Sequence, residues 1–301
     1  MKHDLSEIQH TITKSNQKNS TQTYKLTSGM ELSYYIMYNE NLSLHHDSLS
    51  NVMEINYCHA GRMGWKIRNG ASIYLGPGDF SMHTMDVCAD SDLSLPNQYY
   101  EGFTLYVDLN LLTTQPPELL KGTGITGKLL FEKYCSNDSF ASFAGNEETD
   151  SIFAGFYDQP EAFASSYREL KAMELLLYLA KAEPEKEKHL NEYQAEQVAL
   201  IRKIHKLLLS NLDKRITIEE LSKQYLINTT TLKNLFKAVY GTSIAAHIKE
   251  HRMEHAADML LSTNESIASI ANAVGYDSQS KFTSAFKGAY HVTPREYRKL
   301  H

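Results

Sequence analysis

The amino-acid sequence predicts an α+β protein, with an antiparallel β-barrel towards the amino end and an all-α domain at the carboxyl end. Short stretches rich in β-branched and aromatic residues, separated by turn signals, lie between residues 24 and 108. Helical periodicity replaces them beyond Asn110. Residues 217–243 and 266–293 are two copies of one unit, each of which is typical of a helix-turn-helix.

At 301 residues the chain is long enough for more than one domain. Residues 1–20 form a polar tail without the apolar stretch of a signal peptide, and no apolar run approaches the roughly 20 residues of a membrane helix. We therefore expect a cytoplasmic protein that makes no membrane contact. The predicted domains are a β-barrel over 21–112, a helical segment over 113–188 and the double helix-turn-helix domain over 195–301.

The strands of the first domain follow the segments VMEINY, WKIRNGASIYL and YYEGFTLYVDL. Asn69-Gly70 lies between alternating residues, where a tight hairpin turn is expected, and GPGDF at 76–80 indicates another turn. Several short strands with this spacing are typical of a small antiparallel barrel or sandwich.

The helical segment contains an apolar stripe at steps of three and four residues. The stripe consists of Phe163, Tyr167, Leu170, Met173 or Glu174, and Leu177. It must be covered either by the strand domain or by a partner subunit, so a homodimer is one of the two expectations.

Charge is distributed unequally along the chain, whose formal net charge is -6. Residues 195–301 carry 15 Lys and Arg against 10 Asp and Glu, a net charge of +5, which leaves 15 against 26, or -11, for residues 1–194. Only the carboxyl-terminal part suits a phosphate backbone, so the asymmetry favours a nucleic-acid partner for that part.

The two copies align with an offset of 49 residues before the turn and 50 after it. Their shared apolar pairs are Leu221 with Ile270, Leu232 with Phe282, Phe236 with Phe286, and Tyr240 with Tyr290. Capping residues delimit the helices: Thr217 with Glu220, Asn228, Ser278, and Thr293 with Glu296. The helical stretch between the copies, about 20 residues or ~30 Å long, matches the ~34 Å repeat of the major groove. The sequence therefore predicts binding to double-stranded DNA.

These residues resemble the AraC/XylS family of bacterial transcription regulators, over roughly residues 201–300. The stretch SIASIANAVGYDSQSKFTSAFKGAYHVTPREYRK is similar to the signature of that family, and GTSIAAHIKEHRMEHAADMLL to its linker helix. The resemblance implies a DNA-binding regulator, not an enzyme, with RNA polymerase as a possible partner. His291 departs from the pattern, because the family usually has glycine there and a left-handed residue would be strained.

Exposed positions at the start of each second helix are the candidate base contacts: Thr230, Thr231, Lys233, Asn234, Gln279, Ser280, Lys281 and Ser284. By resemblance, Thr230, Asn234, Gln279 and Ser284 occupy the usual base-contacting positions of the family. Lys237, Ser278, Lys287 and Arg298 are the candidate phosphate contacts. For Arg252 a structural salt bridge is favoured over a DNA contact.

The strand domain resembles the cupin-like sensory barrel of many family members, with GPGDFSMHT similar to the second cupin motif. The His-x-His of the first cupin motif is missing, so no metal is predicted there. A pocket for a small-molecule effector is expected instead. By alternation its lining residues are Glu54, Asn56 or Tyr57, Trp65, Ile67, Tyr74 and His83. The alternatives are a protein-interaction module and a cupin-type enzyme fused to the DNA-binding domain.

Metal and thiol chemistry find little support in the sequence. Cys58, Cys88 and Cys135 have unrelated spacings and are expected to be reduced thiols. His247, His251 and His255 stand four residues apart on one helical face, a spacing that can present imidazoles to a metal. No cysteine or carboxylate on that face completes the set, so neither a metal nor another cofactor is predicted.

Overall fold

The computed structural model describes residues 11–12, 19–27, 29–38, 41–45, 48–66, 70–87, 90–136, 140–157 and 159–300. The chain divides into two compact units, Met1–Ala195 and Glu196–His301. The first unit contains the strands and four helices, and the second is built of helices.

The strands of the amino-terminal unit are β1 (Thr11–Ile12), β2 (Ser20–Lys25), β3 (Met30–Tyr38), β4 (Asn41–His45), β5 (Val52–Gly61), β6 (Met63–Lys66), β7 (Ala71–Leu75), β8 (Phe80–Thr84), β9 (Asp90–Ser94), β10 (Tyr99–Asp108), β11 (Ala141–Phe143) and β12 (Tyr193–Gln194). They form two six-stranded antiparallel sheets, with the orders β1-β4-β9-β6-β7-β12 and β11-β8-β5-β10-β3-β2. A closed barrel gives every strand two neighbours, whereas the outermost strands of each sheet have one among the described residues. The prediction of a closed barrel is therefore wrong, although the strand-rich amino end followed by a helical domain is confirmed.

Local turn chemistry sets the hairpins. Strands β6 and β7 pair antiparallel, and Gly70 before β7 has a positive φ of 84°. Its predicted turn partner Asn69 lies outside the described residues. In the next turn the Asp79 carboxylate accepts a hydrogen bond from the Gly76 amide at 2.8 Å, and Gly78 has a φ of 87°.

The central strands of the second sheet are buried on both faces. Along β5, Met53, Ile55 and Tyr57 face one hydrophobic cluster, while Cys58 belongs to a second. The first cluster lies between this sheet and the helices α1 (Leu109–Thr114), α2 (Gly127–Tyr134), α3 (Glu147–Ala154) and α4 (Glu161–Lys181). The second cluster lies between the two sheets. Two-sided burial explains the nearly continuous apolar character of β5 and β10.

Helix α4 buries one face and exposes another. The buried side chains are Ala172, Met173, Leu175, Leu176, Tyr178 and Leu179. The predicted stripe lies on the exposed face, where Phe163 is 60% exposed, Leu170 51% and Leu177 44%. Met173 is buried, so Glu174 is the stripe member at that turn. Within the part of the chain that the structure describes, the strand domain, one of the two expectations, does not cover the stripe.

The carboxyl-terminal unit contains α5 (Ala195–Leu209), α6 (Ile218–Tyr225), α7 (Thr229–Tyr240), α8 (Ile244–Ser262), α9 (Ile267–Ala273), α10 (Gln279–Tyr290) and α11 (Pro294–Leu300). The predicted caps form. Asn228 Oδ1 accepts a hydrogen bond from the Thr231 amide at 2.8 Å, and Thr217 with Glu220 makes a capping box. Among the described residues, no helix is both long and apolar enough to cross a membrane.

Two arginines of this unit bind backbone carbonyl groups that are distant in sequence. Arg252 donates to the carbonyl oxygens of Leu212 at 2.9 Å and Lys214 at 2.8 Å. Arg298 donates to the carbonyl oxygens of Leu260, near the end of α8, at 3.1 Å and of Glu265 at 2.8 Å. At Leu260, in the last turn of α8, the guanidinium satisfies a carbonyl that the helix leaves unpaired. The other three acceptors lie in the segments that connect helices. Arg252 is thus structural, as favoured, but it binds carbonyl oxygens instead of a carboxylate.

Candidate nucleic-acid interface and ligand cavity

The second helix of each repeat, α7 and α10, is fixed by the same buried positions. Leu232 and Phe236 in α7, and Phe282 and Phe286 in α10, are fully buried. Leu221 and Ile270 on the preceding helices are buried as well. Since these side chains occupy one face of each helix, the opposite face is left to solvent.

Nearly all predicted base-contact residues lie on these solvent faces. The exposed ones are Thr230, Lys233, Asn234, Gln279, Ser280, Lys281 and Ser284. Thr231 is half-buried, and its backbone amide donates to the N-cap Asn228. The structure therefore brings together polar side chains that can donate to and accept from base edges.

The two helices share a charge pattern that the rest of the unit lacks. Helix α7 carries Lys233 and Lys237, helix α10 carries Lys281 and Lys287, and neither contains an aspartate or glutamate. The unit as a whole has ten acidic residues from 195 onwards, so all of them lie elsewhere. A helix that presents lysines without carboxylates suits a polyanion.

The predicted phosphate contacts divide into two groups. Lys237 and Lys287 are exposed and available to phosphates. Ser278 is half-buried, and its hydroxyl caps α10 by accepting a hydrogen bond from the Lys281 amide at 3.3 Å. The placement of Arg298 differs from the prediction, because two guanidinium nitrogens bind backbone carbonyls and the third, Nη2, is buried.

The amino-terminal unit contains a small cavity of about 50 Å³ between its sheets. Of the predicted effector residues, Glu54, Trp65 and His83 line it, as does Asn56. The remaining lining residues are Tyr35, Met37, Met63, Leu93, Tyr100, Thr104 and Tyr106. The sequence interpretation missed this second group. Residues two apart on a strand share a face, so Thr104 and Tyr106 of β10 lie on the same face as their pairing partners Asn56 and Glu54 of β5. The same alternation places Tyr35 and Met37 on one face of β3.

Tyr57 and Tyr74 do not line the cavity, which corrects that part of the prediction. On β5 the alternation places Glu54 and Asn56 on the cavity side and Tyr57 on the helix side, where its ring stacks on Phe153 at 4.2 Å. On β7 the neighbouring Ile73 belongs to the cluster between the sheets, so Tyr74 points to the other face. Ile67 lies outside the described residues.

A chain of hydrogen bonds crosses the cavity wall. Thr104 Oγ1 donates to Asn56 Oδ1 at 2.6 Å, which leaves Asn56 Nδ2 to donate to His83 Nε2 at 3.2 Å. His83 Nδ1 then donates to the Thr84 carbonyl at 3.1 Å and lies 3.5 Å from Glu54 Oε2. This order fixes the imidazole as the Nδ1-H tautomer.

The cavity is a low-dielectric site. Desolvation by burial raises the pKa of Glu54 from 4.5 to about 8, so the carboxyl group is protonated at neutral pH. The indole Nε1 of Trp65 is buried and has no hydrogen-bond partner among the described residues. The wall therefore offers neutral donors and acceptors within an otherwise apolar lining.

The predicted histidine stripe of α8 is only partly realised. His247 is buried and His251 half-buried, but His255 is exposed. His205 of α5, which the spacing rule did not include, lies with its Nε2 2.8 Å from that of His247. A residue 42 positions away in sequence cannot be found from the periodicity of one helix.

Known proteins match the chain mainly in its carboxyl-terminal part. A family model described as a helix-turn-helix domain matches residues 221–300. The HTH-type transcriptional regulator ExsA of Pseudomonas aeruginosa is 37% identical over 82 residues, which are 27% of this chain and 30% of ExsA. The virulence regulon transcriptional activator VirF of Yersinia enterocolitica is 30% identical over 141 residues, 45% of this chain and 50% of VirF. Among solved structures, the C-terminal domain of the Geobacillus stearothermophilus response regulator AraT is 32% identical, with a TM-score of 0.33, over 34% of this chain and 85% of that one.

Over residues 221–300 the carboxyl-terminal unit is a helix-turn-helix domain, similar to those of AraC/XylS-type transcription regulators. The chain spans 26% to 50% of the length of these curated relatives, the smallest share being that of the xylose operon regulatory protein of Escherichia coli. The two helix-turn-helix units of the structure coincide with the two copies of the repeat in the sequence.

The carboxyl-terminal unit has left-handed turns at equivalent positions of both repeats, although the residues differ. Leu226 after α6 and His291 after α10 have φ values of 52° and 62°, where the other copy has Gly275 and Gly241. A Cβ at Gly275 would lie 2.6 Å from both the Arg252 guanidinium and the Leu212 carbonyl oxygen, so glycine is required there. Leu226 is 94% exposed and meets no such obstacle. A left-handed L-residue still costs about 1–2 kcal/mol.

Burial of the Glu54 carboxyl group predicts how the Glu54→Gln substitution changes the pH dependence of stability. Because the native protein holds a proton that the unfolded chain releases above pH 4.5, the contribution of Glu54 to wild-type stability is highest below that pH and falls as the pH rises to about 8. We expect the variant, which has no proton to lose, to be the more stable protein at pH 8. The stability difference should grow by at most about 1.4 kcal/mol per pH unit across this window.

Urea unfolding from pH 4.5 to 8.5 measures this effect. Glu118→Gln is the matched control, since the Glu118 side chain is 86% exposed. Parallel pH profiles of wild type and Glu54→Gln would contradict the assignment.

Proposed function

We propose that this protein is a sequence-specific, DNA-binding regulator of transcription that acts in the cytoplasm and responds to a small-molecule effector. One observation supports the proposal of DNA binding. Two helices of equivalent register present exposed Thr, Asn, Gln, Ser and Lys side chains and no carboxylate. Helix α8 between the repeats has 19 residues, which corresponds to about 28 Å, close to the spacing of successive major-groove faces.

Within each recognition helix we assign different roles to the polar residues. Asn234 and Gln279 have planar amides that can bind adenine in a bidentate manner, and Thr230 and Ser284 add less specific contacts. Lys237 and Lys287, nearer the carboxyl ends of their helices, are assigned to phosphates. RNA polymerase as a partner remains a prediction from the family resemblance.

The sensory role is assigned to the cavity lined by Glu54, Asn56, Trp65 and His83. Two antiparallel sheets that enclose a polar-lined cavity support a cupin-like sensory fold, which is part of this proposal. Because the cavity is about 50 Å³, far below the usual 300–1,000 Å³, a larger effector would have to displace side chains. Displacement of this kind is a means by which a ligand can favour one conformation over another.

The DNA-binding part predicts distinct effects for two kinds of substitution. Gln279→Ala and Asn234→Ala should each weaken specific binding by roughly 5- to 150-fold, as expected for the loss of about 1–3 kcal/mol at one base pair. Lys237→Ala should instead weaken binding to all sequences and reduce the salt dependence by about one phosphate contact.

Footprinting and titration at several salt concentrations, on the DNA upstream of the protein's own and adjacent genes, measure both effects. Gln224→Ala is the control, because Gln224 is an exposed amide on α6 and not on a recognition helix. Two protected segments one helical turn apart are expected. Equal binding by wild type and both amide variants would refute the assignment.

The sensory part predicts that Trp65 reports effector binding. It is the one tryptophan of the chain and lines the cavity, so its fluorescence is specific to this site. A small neutral compound with a hydrogen-bond acceptor should change the Trp65 emission by engaging the indole N-H. Asn56→Leu should abolish the change, whereas Tyr74→Phe, outside the cavity, should retain it. A response that persists in Asn56→Leu would place the effector elsewhere.

We further propose that the exposed stripe of α4 pairs with a second copy of the chain. Phe163, Tyr167, Leu170, Glu174 and Leu177 follow alternating steps of four and three residues, which is the spacing of a two-helix seam. The opposite face of α4 is buried in its own unit, so the stripe is free to pack against another helix. Lys171 Nζ lies 2.6 Å from Glu174 Oε2 and neutralises the one charged member of the stripe.

Sedimentation equilibrium of the full chain tests the pairing. We expect a wild-type dimer and a monomer for Leu170→Glu, because a charge buried in the seam is costly to desolvate. Leu119→Glu is the control, since Leu119 is 66% exposed in the same unit but lies outside α4. A wild type that is monomeric at all concentrations would refute the dimer.

A further inference from the structure

Three histidines of the carboxyl-terminal unit converge on one point. His205 comes from α5, whereas His247 and His251 are one turn apart on α8. The Nε2 atom of His247 is 2.8 Å from that of His205 and 3.1 Å from that of His251. Ligand atoms of all three residues lie within 4.8 Å of one another. Among the described residues this is the one group of histidines, cysteines or carboxylates found to have such geometry.

The separations are close to those of a tetrahedral metal site. With Zn-N bonds of 2.0–2.1 Å, two ligand nitrogens in a tetrahedron are roughly 3.3 Å apart. The two printed contacts of His247, at 2.8 and 3.1 Å, are within a few tenths of an ångström of that value, and the third pair of ligand atoms lies within 4.8 Å. Hydrogen bonds alone satisfy the three nitrogens less well than a metal ion would. The Nε2 atom of His247 faces two partners, so it must either donate one proton to both or accept a proton from both.

The surroundings hold the rings in place for this role. His251 Nδ1 lies 2.9 Å from Glu254 Oε2, so the carboxylate fixes the proton on Nδ1 and leaves the Nε2 lone pair directed at the cluster. The ring of His205 stacks on Tyr240 at 4.2 Å, and that of His247 lies 5.0 Å from the same tyrosine. His247 is buried and His205 is partly buried, so both rings are held against their neighbours and away from bulk solvent.

An ion has a route to the cluster. His251 is 29% exposed at its side chain and borders an open cleft. Asp213, Glu254 and Asp258 also line that cleft, so its entrance is acidic and attracts cations. His255 lies on the cleft wall as well but is not part of the converging group.

We propose that His205, His247 and His251 bind a divalent transition-metal ion, Zn²⁺ in the first place, through their three Nε2 atoms. Three imidazoles with a fourth position open to water or another ligand are a known arrangement for this ion. The ion would tie α5 to α8 beside Tyr240, the last residue of recognition helix α7. If the proposed function also holds, a bound ion would restrict the motion of recognition helix α7. The metal site itself does not depend on that function.

Metal titration of the full-length, untagged protein after removal of bound metals tests the proposal. We expect one equivalent of Zn²⁺ per chain by equilibrium dialysis, and a visible absorption band with Co²⁺ that is typical of tetrahedral nitrogen coordination. His205→Gln and His251→Gln should each weaken binding on the order of 100-fold, whereas Glu254→Gln, through the loss of the supporting carboxylate, should weaken it by about 10-fold.

His255→Gln is the matched control, since His255 is an exposed histidine one turn further along the same helix, and it should bind like wild type. Zn²⁺ should raise the melting temperature of wild type and of this control but not of His251→Gln. Because His251 is half-exposed, its substitution is the one least expected to disturb folding, and circular dichroism checks this. Absence of a saturable equivalent, or undiminished binding in His205→Gln and His251→Gln, would overturn the proposal and identify the cluster as hydrogen-bonded packing alone.

Discussion

Helix α8 must bury side chains against both helix-turn-helix units, and the arrangement of the carboxyl-terminal domain depends on this constraint. Its first turns carry Ile244 and His247, the latter packed on the aromatic pair of α7. Its second half carries Met253, Ala256 and Leu260 into the core of the second unit. A continuous helix transmits a fixed rotation of 100° per residue, so burying both ends fixes the relative orientation of the two recognition helices.

The two repeats meet this constraint with different residues. An arginine follows each unit, Arg252 on α8 after the first and Arg298 on α11 after the second, and each binds backbone carbonyls of an earlier segment of the chain. The left-handed turns recur too, but each repeat has glycine at one turn and a larger residue at the other. At Gly275 the neighbouring guanidinium excludes any side chain, whereas Leu226 projects into solvent. The two copies thus share the left-handed backbone conformation at positions where their side chains differ.

The amino-terminal unit follows a different principle, because its central strands are buried on both faces. One face packs on helices and is apolar, while the face between the sheets includes Glu54, Asn56 and His83. Buried polar groups are costly unless paired, and here they are linked in one chain of hydrogen bonds and a protonated carboxyl. A fold that retains such groups in its interior keeps a polar site that an apolar core of the same volume would not provide.

Local chemistry determined a large part of this molecule. Helix limits follow from Thr217, Asn228, Ser278 and Thr293, since a cap bonds to an amide within three residues, and the exposed faces of α7 and α10 follow from helical periodicity. Only the tertiary structure decided which face of β5 borders the cavity, that Arg298 binds the carbonyl oxygens of Leu260 and Glu265, and that His205 lies beside His247. These arrangements join residues far apart in sequence, and no periodicity of a single strand or helix contains the partner.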